Sequence, residues 1–124
     1  MRRAVRLRSG DDFRRVRREG RSRADSAFVI LAAPRPAGPE GESRVGIVTS
    51  KRVGDAVTRN RIKRRIRERM RLRYGQVRTG WDIVIIVRAP LVDLDTVALD
   101  QALGSLLRRL DLVTEAQCVD LPSA

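Results

Sequence analysis

No histidine occurs among the 124 residues of this chain. That absence excludes a serine–histidine–aspartate triad, a histidine general base and a histidine-ligated metal centre. Cys118 is the single cysteine, so an intrachain disulfide and a cysteine-based zinc site are excluded too, and nothing argues for an oxidising compartment. Aromatic residues are scarce: Phe13, Phe28, Tyr74 and Trp81 are the full set. A core this poor in rings must be built from valine, isoleucine, leucine and alanine. The longest unbroken apolar run, Ala27 to Pro34, is too short to span a bilayer. The arginine-rich start is not followed directly by an apolar stretch of signal-peptide length, so a cytoplasmic chain with no membrane role is expected. No phosphate-loop or dinucleotide motif is present.

Acidic residues are outnumbered, 15 against 27 lysines and arginines, leaving a formal charge of +12. A polyanion is the natural partner of such a surface. The charge is unevenly placed. Residues 1–23 hold ten arginines against Asp11, Asp12 and Glu19, and residues 51–73 hold eleven basic residues against Asp55 and Glu68. Residues 93–124 are net acidic. Lys51 and Lys63 are the only lysines. A GC-rich genome accounts for much of that ratio; the clustering is what points to function. Arginine forks onto phosphate and stacks on bases, which suits RNA. The carboxylates inside the basic blocks suit helix caps and local ion pairs better than a two-metal site.

Chain length and 42% apolar content fit one domain with one modest core. Residues 1–8 read as an exposed basic arm and 112–124 as a frayed tail. Ser9 caps a helix to about Glu19, with Gly20 as a left-handed stop. Short strands are expected around 21–25, over 27–33 and over 44–50, with a Pro/Gly-rich loop, 34–43, between the last two. Thr58 caps a helix over about 59–74, and 82–88 is a strand ended by Pro90. Asp95 caps a last helix whose Leu99, Ala102, Leu103, Leu106, Leu107 and Leu110 recur at helical spacing. The order predicts an α/β (α+β) two-layer sandwich: a three- to four-stranded sheet with three helices.

The stretch from Lys51 to Arg73 carries the functional signal. Ile62, Ile66 and Met70 form a narrow apolar stripe, and the rest of the helix is basic. Arg61–Arg65, Lys63–Arg67 and Arg67–Arg71 are like-charged i, i+4 pairs, each costing about 0.2–0.5 kcal/mol. A solvated basic face is the plain alternative, but a bound polyanion removes the repulsion. Arg59, Asn60 and Arg61 stand near the expected helix start, where free N–H groups favour phosphate. These features alone also fit a ribosomal RNA-binding protein, and less well a DNA-recognition helix, which lacks a partner helix at a short turn. A protein nuclease is disfavoured by the missing histidine.

Residues 44–67 take the recognition further. Arg44-Val45-Gly46, Ser50 to Val57, Arg59-Asn60-Arg61-Ile62-Lys63-Arg64 and Ile66-Arg67 together resemble the signature of the bacterial ribonuclease P protein component. Arg6-Leu7-Arg8-Ser9, Asp12-Phe13, Val16 and Gly20 resemble that family's opening helix, and the strands and last helix follow in family order over about residues 5–110. The resemblance implies a left-handed crossover around the basic helix. It implies that Lys51, Arg52, Arg59, Asn60, Arg61, Lys63, Arg64 and Arg67 bind the catalytic RNA. A cleft between the first helix and the sheet would hold the 5′ leader of precursor tRNA. The RNA, with Mg²⁺ bound mainly by it, would perform the hydrolysis, and the protein would be a monomer present in one or two copies per holoenzyme.

Family members often carry several aromatics in that cleft. Here Phe13 matches one, but Arg17 and Leu31 stand where others are common. Stacking is worth about 1–3 kcal/mol per base, so the resemblance implies a leader-binding cleft of Phe13, Arg17 and Leu31 that relies more on charge. A plain core contact is the alternative role for Phe13. Phe28, of opposite strand parity to Leu31, reads as core. Trp81, Tyr74 and Cys118 receive no role.

Overall fold

The computed structural model describes residues 6–88 and 95–113. Helix α1 (Gly10–Glu19) leads into strands β1 (Arg21–Ala24), β2 (Phe28–Pro34) and β3 (Arg44–Val48). Helix α2 (Ala56–Arg73), strand β4 (Trp81–Val87) and helix α3 (Thr96–Arg109) follow. The four strands form one sheet in the order β1-β2-β4-β3. β1, β2 and β4 are antiparallel neighbours, whereas β3 runs parallel to β4. Parallel neighbours need a long crossover connection, and α2 is that connection.

Alternation along the strands divides the apolar residues between two faces. Phe28, Ile30, Ile83, Ile85 and Val87 pack with Ile62, Ile66 and Met70 of α2 and with Leu99, Leu103, Leu106 and Leu107 of α3. This is the main core, and it joins the sheet to the α2–α3 pair as the two layers of the sandwich. The narrow stripe on α2 and the leucine stripe on α3 are both buried as the periodicity requires. On the other face α1 covers a smaller cluster of Leu7, Val16, Ala33 and Val84.

Helix ends explain where the structure departs from the sequence reading. Ser9 caps α1, its hydroxyl accepting the Asp11 N–H at 3.2 Å. Gly20 is not a left-handed stop; its backbone is extended, at φ −79° and ψ 159°. Glycine is required there because a Cβ would lie 2.4 Å from the Val16 carbonyl oxygen and 2.9 Å from that of Ala32. Thr58 does not cap α2. Asp55 does, accepting the Thr58 N–H at 2.9 Å, and the helix therefore begins three residues earlier than expected. That hydrogen bond, chiefly, holds the Asp55 carboxyl below its ordinary pKa. Asp95 caps α3 as expected, accepting the Ala98 N–H at 2.8 Å.

Both ends of the described chain are more firmly held than a free arm and tail. The Leu7 N–H donates to the Val45 carbonyl at 2.9 Å, and the Leu7 side chain is buried. Leu112 and Val113 are buried as well, and the Leu112 carbonyl accepts the Arg78 N–H at 2.7 Å. Pro90, residues 1–5 and the tail from 114 onward lie outside the described residues.

Asp82 is the point at which α1 is fastened to the sheet. It sits in β4 between Ala33 of β2 and Arg44 of β3, and its side chain is 0% exposed. Arg44 binds it with two hydrogen bonds, Nε to Oδ1 at 2.8 Å and Nη2 to Oδ2 at 2.7 Å. That pairing is the leading reason the Arg44 guanidinium is held above its ordinary pKa. Arg15 of α1 donates to the same carboxylate, and Arg35 stands 3.9 Å away. Asp12 of α1 closes the cluster on Arg44 at 3.4 Å. Val16 is the only fully buried residue of α1, and one such side chain contributes only about 1.5–3 kcal/mol.

Removing one partner of a buried ion pair typically costs about 3–5 kcal/mol. Asp82→Ala is accordingly expected to lower the unfolding free energy by about 3 kcal/mol, read from urea denaturation. A loss within about 0.5 kcal/mol, the range of neutral surface changes, is incompatible with this fastening role.

Candidate nucleic-acid interface

Helix α2 buries one stripe and leaves the rest of its surface to a run of cations. Among the described residues, no carboxylate lies within ion-pair distance of Arg59, Arg61, Lys63, Arg64 or Arg67. The one local pair on this helix joins Arg71 to Glu68, 2.5 Å apart. It pushes the Glu68 carboxyl down and the Arg71 guanidinium up, in each case chiefly through the hydrogen bond between them. Lys51 and Arg52 precede the helix on a short 3-10 turn, exposed, while Val53 of that turn anchors it in the core.

Among the grooves along the exposed side, three involve the expected RNA-binding residues together with Asn60 or Phe13. A groove of about 430 Å³ is lined by Arg6, Asn60, Arg64, Arg67 and Glu68. A smaller one of about 200 Å³ lies among Thr49, Ala56, Arg59, Asn60 and Lys63. A third, of about 260 Å³, is bounded by Arg6, Arg8, Phe13, Gly46, Lys63 and Arg67, among others. Asn60, Lys63 and Arg67 thus each line two of the three. Arg61 is exposed but lines none of them, and neither do Lys51 and Arg52. The early start of α2 places Arg59-Asn60-Arg61 beyond its first turn, and the Arg59 N–H is spent on the Asp55 carbonyl at 2.9 Å. Their contribution is therefore side-chain charge and hydrogen bonding rather than free helix-end amides.

The Arg67 guanidinium is half-buried and held below its ordinary pKa, first by burial and then by the charges of Arg6 and Arg8. The cations of the third groove thus repel one another in the free protein, and an anion placed among them relieves that repulsion. Arg6 and Arg8 belong to this site, although residues 1–8 read as an exposed basic arm. The signal that could have found them is Leu7, an apolar residue between two arginines, which docks on β3 and carries its neighbours with it.

Phe13 makes the plain core contact considered for it and also lines a groove. It packs against the smaller apolar cluster, and a Cβ on Gly46 would lie 2.5 Å from its Cζ. The same half-buried ring lines the groove that Lys63 and Arg67 share. Leu31 is half-buried on the face that α1 partly covers, packed against the same cluster as Phe13, Val48 and Ile86. Arg17 is exposed, one turn beyond Phe13. Phe28 is core, fully buried. Tyr74 and Trp81 support the fold: the Tyr74 hydroxyl donates to the Ser43 carbonyl at 2.5 Å, and the Arg21 guanidinium lies 5.6 Å from the centre of the Trp81 ring. Cys118 falls outside the described residues.

Among the described residues no group of three or more histidine, cysteine, aspartate or glutamate side chains is placed to hold a metal ion. No described helix is long and apolar enough to cross a membrane. The geometry offers a basic surface and a half-apolar cleft.

Comparison with known proteins agrees with that description. The family model described as Ribonuclease P matches residues 1–111. The ribonuclease P protein component of Roseiflexus castenholzii is 42% identical over 117 residues, which span 94% of this chain and 93% of that protein. That of Herpetosiphon aurantiacus is 45% identical over 112 residues, 90% of this chain and 89% of the other. The solved RNase P protein of Staphylococcus aureus superposes with a TM-score of 0.81 at 31% identity, covering 90% of this chain and 100% of its own. That of Thermotoga maritima gives 0.75 at 35% identity, covering 84% and 96%. With the family model matched over residues 1–111 and the fold matched along nearly the whole length, the chain belongs to the ribonuclease P protein family.

Proposed function

We propose that this chain is the protein subunit of ribonuclease P, binding the catalytic RNA through α2 and the 5′ leader of precursor tRNA through the cleft beneath α1. One observation carries the reading: the cleft and the basic helix are not separate sites. They meet in the groove that Phe13 shares with Lys63 and Arg67. An RNA strand leaving the cleft there finds the cations Arg6, Arg8, Lys63 and Arg67, and a second RNA on the outer side of α2 finds Asn60 and Arg64. The protein chain supplies positive charge and a stacking surface. The hydrolysis, leaving a 5′-phosphate on the tRNA, is assigned to the RNA, which also holds the Mg²⁺ that this chemistry needs. A monomeric cytoplasmic protein fits this role.

The features that would support the rivals are absent from this surface. A DNA-recognition helix presents a few base-reading side chains to a groove, whereas arginine is the commonest outward residue of α2 from Arg59 to Arg73. A ribosomal RNA-binding protein would share the charge but has no use for a leader cleft.

Two measurements separate these readings. Arg64→Ala removes one phosphate contact, so the slope of log affinity for the catalytic RNA against log salt should fall by about 0.7–0.9; an unchanged slope removes Arg64 from the interface. Phe13→Leu keeps the apolar contact with Gly46 but loses the stacking ring. Affinity for precursor tRNA should drop by about fivefold or more, while mature tRNA binds as before. Equal losses for both RNAs would assign Phe13 to the fold alone.

A further inference from the structure

Asp82 has more positive charge around it than its own neutralisation needs. The two parallel bonds from Arg44 already satisfy the carboxylate fork in the geometry that arginine and carboxylate prefer. Arg15 is a second donor to the same group, brought from α1 across the sheet face. Its other bonds continue the attachment: Nη1 donates to the Pro34 carbonyl at 3.1 Å, and Nη2 approaches Asp12 at 3.5 Å. What Arg15 adds is a hold on α1.

The hold is on one flank of the helix. At 3.6 residues per turn, Asp12 and Arg15 lie to one side of Val16, and Phe13 and Arg17 lie to the other. Val16 alone of α1 is fully buried, and Phe13 is only half-buried against the same cluster, so apolar packing by itself restrains the roll of the helix weakly. The ion cluster adds the missing restraint. Its sheet residues, Pro34, Arg44 and Asp82, are at one end of their strands. Leu31, Val48 and Ile86, half-buried on the same face, lie farther along.

We infer that Arg15 and Asp82 are positioning residues for the leader: their ion pair sets the rotation of α1 and so holds Phe13 and Arg17 over the open part of the sheet. The inference rests on the leader-cleft reading above and adds the device that shapes the cleft. Both side chains are largely buried, 15% and 0% exposed, and Arg15 is committed to Asp82 and the Pro34 carbonyl. Any effect of Arg15 on leader binding is therefore transmitted through α1.

The test uses the full-length protein assembled with a bacterial ribonuclease P RNA. Binding of precursor tRNA with a short leader is compared with binding of mature tRNA. Hydrogen exchange of residues 10–19 is followed in the free protein. Arg15→Gln should weaken precursor binding about tenfold, leave mature tRNA binding unchanged, and speed exchange in α1 but not in α2. Arg15→Lys, which retains a charged donor to Asp82, should recover much of the loss. Should the glutamine variant fail to fold, the lysine variant carries the test, with a smaller loss confined to the precursor. Equal losses for both RNAs, or an intact leader preference despite faster exchange in α1, overturn the inference. Phe13→Leu and Arg17→Ala run alongside. If they lower the precursor-to-mature ratio and the Arg15 variants do not, positioning alone fails; if none of them moves it, the leader cleft fails and the positioning role with it.

Discussion

A carboxylate buried among arginines decides the shape of this molecule's working face. Asp82 stands in the second position of a strand that is otherwise apolar, and burying a charge there is tolerable only with partners of opposite sign. The partners come from β3, from the loop after β2 and from α1. Neutralising one charge thus draws three parts of the chain to one end of the sheet. Through Arg15 and Asp12 it also settles how α1 lies on a face where apolar contact is slight. The cleft beneath α1 is the space left over once that helix is fastened along one flank.

The opposite side of the fold is built on a different balance. Helix α2 has a narrow buried stripe of Ile62, Ile66 and Met70, and its remaining surface is nearly all cationic. The like-charged pairs along it oppose helix formation, and Glu68 relieves chiefly Arg71. Packing against the sheet and α3 holds the helix. Arg73 adds to this with a hydrogen-bonded ion pair to Asp100 of α3 at 2.8 Å. The repulsion that remains, including that of Arg6 and Arg8 on Arg67, is released when phosphate is bound. Binding and fold stability are coupled through that term, so polyanions should stabilise the protein more than their ionic strength accounts for.

Much of this was legible in the residues, for reasons that differ from element to element. The leucine stripe of α3, the continuous apolar runs of β2 and β4, and the Ile62-Ile66-Met70 spacing read directly because burial follows periodicity. The basic surface was legible because nine cations and one anion over residues 59–73 have no ordinary structural use. Helix ends were harder. Asp55 displaced Thr58 as the cap of α2, since a carboxylate three residues earlier also accepts an N–H and extends the helix. Gly20 is needed for space rather than for a left-handed turn: the Ala32 carbonyl that excludes a Cβ there comes from β2. Leu7 and Val113 find their partners in the tertiary fold, which local pattern does not show. Asp82 stood at the start of the expected strand with nothing local to mark it as buried, because its partners are 38 and 67 residues away.

On the proposed function the chain is a partner to a catalytic RNA, bringing charge and shape while the RNA performs the hydrolysis. The most direct measurement is 5′-end processing of a precursor tRNA by a bacterial ribonuclease P RNA at low Mg²⁺, with and without the full-length protein. Strong stimulation, a 5′-phosphate on the mature product and no cleavage by the protein alone are the predicted results. A folded protein that leaves the rate unchanged, or one that cuts the precursor without the RNA, would contradict it.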